Sequence, residues 1–150
     1  MKRGTLTELF FSSVDRHADR RPAALRFRIN GTWHAITHKE LARRVVALTA
    51  GLRELGIRPG DRVAILAETR PEWAIADYAC LCAQAADVPV YPTLTAKQTE
   101  YILKDSGAVG VFCSTAEQVA KVFEIKDRLP NLRHIITFEA SGKRAGVLSL

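Results

Sequence analysis

Hydroxyl, carboxylate and guanidinium side chains follow three short apolar runs that have the character of buried strands. The three segments are residues 67–70, 92–95 and 114–116. In a sheet of parallel strands the chemistry belongs in the loops at the carboxyl ends of the strands, so a ligand site would be expected here. None of the segments contains glycine, however, and backbone N–H groups therefore cannot wrap closely around a phosphate.

Glycine-rich nucleotide motifs are also missing from the rest of the chain. The pattern G-x-G-x-x-G does not occur. A Walker A loop fails because Gly142-Lys143 is followed by Arg144 rather than Ser or Thr, and because Thr137 stands where the first glycine should be. The residues alone therefore predict no phosphate-binding loop.

Three positions carry side chains with both a functional and a structural interpretation. Tyr91-Pro92-Thr93 is a hydroxyl-bearing turn after a buried strand, which either lines a cleft or only packs. Ser114 and Thr115 either touch a ligand or cap the following helix, and we favour the cap. Glu72 and Trp73 are explained more simply as a carboxylate on the helix dipole and a core aromatic than as functional residues.

The histidines and cysteines are too dispersed to predict a metal centre. No C-x-x-C pair occurs, and no cysteine–histidine spacing suits zinc. Cysteines within an apolar helical run indicate buried, reduced thiols and hence a cytosolic protein. The residues concerned are His17, His34, His38 and His134, and Cys80, Cys82 and Cys113. The sequence therefore predicts no catalytic, cofactor-binding or metal-binding residue.

The composition is that of one globular domain, with 150 residues of which 47% are hydrophobic and 25% charged. The formal net charge is +6, but the basic residues are scattered along the chain. Scattered charge favours a solvated surface, with a polyanion site as the alternative. No apolar run approaches the ~20 residues of a membrane-spanning helix, and polar residues interrupt the stretch where a signal peptide would lie.

Helix starts are marked by five residue pairs with the spacing of a capping box, in which a hydroxyl and a carboxylate or amide satisfy free backbone N–H groups. Each pair precedes an apolar run with helical periodicity. The dipeptide Asn30-Gly31, between strand-like residues 25–29 and 32–36, predicts a hairpin with a type I′ turn. The five pairs are Thr5/Glu8, Thr37/Glu40, Thr69/Glu72, Thr95/Gln98 and Ser114/Glu117.

The order of the predicted elements indicates an α/β fold: an N-terminal helix and a β-hairpin, followed by a mostly parallel sheet with flanking helices. Pro89 lacks an N–H group, which places its strand at an edge or makes it a strand start. Residues 140–150 show no periodicity and are predicted to be a linker. Helices are predicted at 5–20, 37–55, 71–86, up to 107, and 114–129, and further strands at 63–66, 88–91, 109–113 and 134–137.

Five segments carry a family resemblance: residues 33–41, 56–65, 71–73, 88–93 and 101–108. They are similar to the adenylate-forming (AMP-forming) synthetase superfamily, and to its long-chain fatty acid–CoA ligase branch in particular. That family usually has Thr-Tyr-x-Glu-Leu where this chain has Thr37-His38-Lys39-Glu40-Leu41, and Asn where Thr69 stands. Both departures lie at scaffold positions, so they weaken the resemblance to the subfamily rather than the resemblance to the superfamily.

The resemblance implies an enzyme that joins a fatty acid to AMP, using ATP and Mg²⁺, and then passes the acyl group to coenzyme A. The family's working parts are a Ser/Thr/Gly-rich loop ending in Pro-Lys-Gly, a Tyr-Gly-x-Thr-Glu stretch, a ribose-binding Asp and a C-terminal Lys. All of them match positions beyond Leu150, so no site residue is carried over. We expect residues 1–139 to be the N-terminal portion of a larger synthetase domain, with 140–150 a truncated linker. The isolated chain is expected to be inactive and not to bind ATP, Mg²⁺ or coenzyme A tightly.

Two other function classes stay open at this point. One is a stand-alone nucleotide-binding α/β module, against which the glycine-free loops weigh. The other is a basic domain that binds nucleic acid or an anionic membrane, suggested only by the net charge. If the chain is part of a larger sheet, it leaves a strand edge and an apolar face uncovered, so we expect marginal stability or self-association. The expected location is cytoplasmic, with peripheral membrane contact left open.

Overall fold

The computed structural model describes residues 4–139 and 145–149, and its elements follow the predicted order. A helix and a hairpin precede strands that alternate with helices, so the predicted α/β fold is confirmed. The helices are α1 (Leu6–His17), α2 (His38–Glu54), α3 (Pro71–Cys82), α4 (Ala96–Ser106) and α5 (Ala116–Ile125), with a 3₁₀ turn at Lys126–Arg128. The strands are β1 (Leu25–Ile29), β2 (Thr32–Ile36), β3 (Arg62–Leu66), β4 (Ala86–Val90), β5 (Gly110–Cys113), β6 (His134–Thr137) and β7 (Val147–Ser149).

Strands β3 to β7 form one parallel sheet in the order β4-β3-β5-β6-β7. In β3, Leu66 pairs with Val90 on one side and with Cys113 on the other. The run from Val63 to Leu66 is completely buried, as its uninterrupted apolar character predicts for a strand covered on both faces. Because all five strands point the same way, the loops that follow them gather at one rim of the sheet.

Alternate side chains of the strands enter two separate cores on opposite faces of the sheet. Val63 and Ile65 point into the core under α2 and α3, where the rings of Phe112 and Phe138 stack with centroids 5.6 Å apart. The intervening residues of β3 point into the core under α4 and α5. A third cluster packs α1 and the hairpin against α2 and α3, and so attaches the N-terminal elements to the sheet.

The hairpin has the predicted boundaries and turn. Asn30 and Gly31 both take left-handed backbone angles, with φ of +48° and +83°. A type I′ turn needs positive φ at both central residues, and its twist matches that of the flanking strands. The antiparallel register that results pairs Arg28 with Trp33 and Leu25 with Ile36.

Two of the five predicted capping boxes form completely, those at Thr5/Glu8 and Thr95/Gln98. At Thr37 only half of the box forms, because the Glu40 carboxylate binds Arg43 and Arg44 instead of the backbone. The remaining two predictions are wrong by one residue. Arg70, not Thr69, is the N-cap of α3 and makes no side-chain cap, while Thr115, not Ser114, caps α5 by accepting from the Gln118 N–H.

The end of α3 comes earlier than predicted, at Cys82. Gln84 takes a left-handed φ of +62°, and its carbonyl accepts a hydrogen bond of 2.8 Å from the N–H of Gly60. The chain therefore leaves the helix early, and β4 starts at Ala86, two residues before the predicted strand.

The two outer strands of the sheet are β4 and β7. The prediction that Pro89 lies at an edge or a strand start is confirmed by its position in β4. Strand β7 was not predicted: Val147–Ser149 pair in parallel with Ile135–Thr137, where the sequence indicated a linker. Residues 140–144, with Gly142-Lys143, lie outside the described part of the chain. No helix in that part is long and apolar enough to cross a membrane.

Candidate functional site

A cleft of about 470 Å³ opens at the rim of the sheet, between the carboxyl ends of β3 and β4. It lies where the chemistry of a parallel sheet is expected. Among the described residues that line it, Glu68 carries the only formal charge at neutral pH. The lining residues are Ala67, Glu68, Thr69, Trp73, Pro89, Val90, Tyr91, Pro92 and Thr93.

The turn Tyr91-Pro92-Thr93 forms one wall of this cleft, so the structure favours the first of its two interpretations. Tyr91 is 77% exposed and does not serve as a core residue. Trp73 also lines the cleft, and it packs against the core under α2 and α3. The cleft thus combines an exposed phenol, two threonine hydroxyls and an indole with a single carboxylate.

Arg70 joins three of the loops at the rim. Its Nε donates to the Glu72 Oε2 at 2.7 Å, and its Nη1 donates to the backbone carbonyl of Ser114 at 3.1 Å. The guanidinium carbon lies 5.7 Å from the centre of the Phe138 ring, within the range of a cation–π contact. The loops after β3, β5 and β6 are therefore held in a fixed arrangement beside the cleft.

The Arg70–Glu72 pair also sets the charge state of Glu72. Burial by itself would raise the pKa of the Glu72 carboxyl. The hydrogen bond from Arg70, a backbone hydrogen bond and the charges of Arg70 and Arg44 together outweigh burial, so the pKa is lowered overall. The same hydrogen bond raises the pKa of Arg70. Glu72 is thus an ionised partner of Arg70 near the first turn of α3, and the structural interpretation of this carboxylate is the one that the geometry favours.

Ser114 and Thr115 lie apart from the cleft. Ser114 is completely buried, and its Oγ has no hydrogen-bond partner among the described residues. Its backbone N–H donates to the Leu66 carbonyl at 3.1 Å, which continues the β5 pairing by one residue. Thr115 serves as the helix cap, the role that the sequence favoured for this pair of hydroxyls.

Two side chains of α5 donate hydrogen bonds to the loop that contains Pro92. Lys121 Nζ donates to the carbonyls of Pro92 and Leu94, at 2.7 Å and 2.8 Å, and Gln118 Nε2 donates to the Pro92 carbonyl at 3.3 Å. Sequence reasoning missed these contacts because 26 to 29 residues separate the partners along the chain.

The histidines and cysteines do not converge on the cleft. His17 and His38 face each other with ring centroids 5.8 Å apart, and His34 stacks on Phe27 in the hairpin. Burial lowers the pKa of His134, and it raises the pKa of the Cys80 and Cys113 thiols to about 12. Within residues 4–139 and 145–149, no group of three or more His, Cys, Asp or Glu side chains could hold a metal ion.

A pair of carboxylates that the sequence did not reveal lies at the β4 edge. The pKa of Asp77 is raised to about 6. Burial is the largest cause, and the charge of Asp87 and a hydrogen bond with Asp87 add to it. Asp77 is on α3 and Asp87 on β4. Ten positions separate them in the chain, so no local motif marks the pair.

The chain belongs to the family of AMP-binding enzymes. The model of that family matches residues 10–147. Within this family, the chain is 40% identical over 117 residues to the long-chain-fatty-acid–CoA ligase FadD15 of Mycobacterium bovis. The matched stretch covers 78% of this chain and 20% of the relative. It is 41% identical over 107 residues to a feruloyl-CoA synthase of Amycolatopsis, covering 71% and 21%. The chain therefore spans about a fifth of the length of these relatives.

Solved structures agree with this assignment at the level of the fold. The anthranilate–CoA ligase AuaEII, determined in complex with anthranoyl-AMP, superimposes with a TM-score of 0.79 at 23% identity, covering 93% of this chain and 26% of that enzyme. Acetoacetyl-CoA synthetase from Streptomyces lividans gives a TM-score of 0.76 at 25% identity, covering 93% and 24%. The predicted resemblance to AMP-forming synthetases is thereby confirmed.

Proposed function

We propose that this chain is the N-terminal part of the large domain of a long-chain fatty acid–CoA ligase. The observation that carries the proposal is the 40% identity to the mycobacterial long-chain-fatty-acid–CoA ligase. The family match over residues 10–147 and the shared fold of the acyl-CoA ligases support it.

In the proposed reaction of the longer enzyme, a fatty acid carboxylate attacks the α-phosphate of ATP. Acyl-adenylate forms and pyrophosphate leaves. The thiol of coenzyme A then loses its proton and attacks the acyl carbon, so that a thioester forms and AMP leaves. Forming the mixed anhydride first splits one difficult substitution into two easier ones.

The residues of this chain do not fit a magnesium–ATP complex. The loops after β3, β4 and β5 contain no glycine, and within the described part of the chain Glu68 is the sole carboxylate on the cleft wall. A phosphate cradle needs closely approaching backbone N–H groups, which glycine-rich loops provide. We therefore assign no step at the phosphates to these residues. Their proposed part is to form one wall of the substrate cleft and to hold the loops beside it.

The isolated chain is accordingly predicted not to make acyl-adenylate. The purified 150-residue chain, supplied with ATP, Mg²⁺ and palmitate, should release pyrophosphate no faster than a protein-free blank. The full-length mycobacterial ligase serves as the positive control. Palmitate-dependent pyrophosphate release by the chain itself would overturn this part of the proposal.

The gene provides an independent test of the longer enzyme. Beyond the codon for Leu150, the proposal expects a Ser/Thr/Gly-rich segment that ends in Pro-Lys-Gly. A genomic stop codon at that point would contradict it. Where the longer protein is obtained, parallel assays compare ferulate with palmitate, which represents the long-chain fatty acids. Preference for palmitate is expected.

A further inference from the structure

One helix on the far side of the sheet rim is bonded directly to the cleft wall. Three hydrogen bonds run from α5 to the loop after β4: two from the Lys121 ammonium, to the carbonyls of Pro92 and Leu94, and one from the Gln118 amide to Pro92. Residues 118 and 121 are three positions apart on a helix, so their side chains lie on the same face. The Pro92 carbonyl accepts from both of them.

The Lys121 ammonium is directed to this loop rather than to the acidic residues of its own helix. Glu117 and Glu124 stand one turn away on either side, yet within residues 4–139 and 145–149 no carboxylate oxygen lies within 4 Å of Lys121 Nζ. Lys121 is half-buried. A charged donor strengthens a hydrogen bond to a carbonyl, and partial burial strengthens it further.

One bonded carbonyl, that of Pro92, belongs to the part of the loop that faces the cleft, and the other, that of Leu94, follows it directly. Tyr91, Pro92 and Thr93 line the cleft, while the Leu94 N–H donates back to the Tyr91 carbonyl at 3.2 Å and closes a turn. We propose that Lys121, assisted by Gln118, is a positioning residue that fixes this turn and thereby the shape of the cleft wall. The inference concerns the geometry of the loop, so it is independent of the acid that the enzyme activates.

Hydrogen exchange on the 150-residue chain tests the proposal. In Lys121→Met, which removes the ammonium and keeps the aliphatic stem, the amides of residues 93–95 should exchange about fivefold faster or more. The amides of β3 and β5 should change by less than about twofold. Lys121→Arg keeps a charged donor and should restore most of the protection. Lys97→Met, at an exposed position on α4, is the matched control and should leave the loop unchanged.

A purely stabilising role of Lys121 has a different signature. It would accelerate exchange by the same factor throughout the chain, and that result would overturn the proposal, as would unchanged exchange in residues 93–95. Gln118→Met provides the second variant in case Lys121→Met does not fold: it removes one of the three bonds, and a smaller acceleration confined to the same loop is expected. Equal rates in Gln118→Met and the unmodified chain would also count against the inference.

Discussion

At the residue scale, the pair Asp77 and Asp87 makes stability depend on pH in a direction opposite to that of an ordinary salt bridge. The folded chain raises the pKa of Asp77 from 3.8 to about 6, so it binds this proton more tightly than the unfolded chain does. Asp77 therefore favours the folded state increasingly as pH falls through about 6, and this contribution is lost as pH rises through that value. Asp87 is the charged group that acts on Asp77. Both carboxylates act on the neighbouring Cys80 thiol.

We predict that Asp77→Asn stabilises the chain at pH 8 by on the order of 1 kcal/mol, because a half-buried carboxylate feels only part of the desolvation and repulsion. The advantage over the unmodified chain should shrink as pH falls below about 6, and it should vanish only below the unfolded pKa of 3.8. Urea unfolding at a series of pH values measures it. Asp15→Asn, at an exposed position on α1, is the control and should show no such trend. A stability difference for Asp77→Asn that is constant between pH 5 and pH 8 would refute the assignment.

At the scale of elements, the helix at Thr95 has the predicted cap and the helix after Thr69 does not, so these two positions can be compared directly. Thr95 accepts from the Gln98 N–H at 3.3 Å, and the Gln98 side chain accepts from the Thr95 N–H at 3.0 Å. Thr95→Ala should therefore lower the free energy of unfolding by about 1 kcal/mol. Thr69 has the same sequence pattern but does not cap α3. Thr69→Ala should cost less than about 0.5 kcal/mol, the usual range for surface positions, and equal costs in thermal or urea unfolding would contradict the observed caps.

The sequence predicted every helix and strand up to β6, but it could not choose between neighbouring frames at two helix starts. Ser114-Thr115 and Glu117-Gln118 allow two capping boxes one residue apart. The frame is decided by pairing in the sheet, because the Ser114 N–H still bonds to the Leu66 carbonyl of β3. At α3 the signal was present, since Pro71 occupies the first helical position and makes Arg70 the N-cap.

The candidate site was predictable only in outline. The position of the loops at the carboxyl ends of the strands follows from the parallel order, and it correctly directed attention to residues 91–93. The contacts of Arg70, of Lys121 and of Asp77 join segments that the chain order keeps apart, and no local pattern marks them. Strand β7 escaped detection because its three residues are too few to show a period.

At the scale of the whole molecule, the two edges of the sheet differ in how well they are protected. Pro89 removes one N–H donor from the β4 edge, and proline is one of the devices by which sheets avoid pairing with other chains. The β7 edge has no proline, and Leu148 is 42% exposed there. We therefore expect the isolated chain to self-associate through β7.

Sedimentation velocity over a range of concentrations measures this association. Leu148→Lys should weaken it about tenfold, because a lysine on an edge strand opposes pairing with a second copy. Val46→Lys, at an exposed apolar position on α2, should have little effect. A chain that stays monomeric at every concentration would show that β7 does not mediate self-association. An equal loss of association in both variants would show the same.

The position of β3 between β4 and β5 also has a consequence for synthesis on the ribosome. Both strands that pair with β3 follow it in the chain, so the fully apolar run Val63–Leu66 leaves the ribosome before either neighbour does. At about 5–20 residues per second, roughly 1–5 s pass between the translation of Leu66 and of Val90. For that interval the apolar run has no strand to pair with, and the charged Arg62 and Glu68 near its two ends have the position of gatekeepers against aggregation.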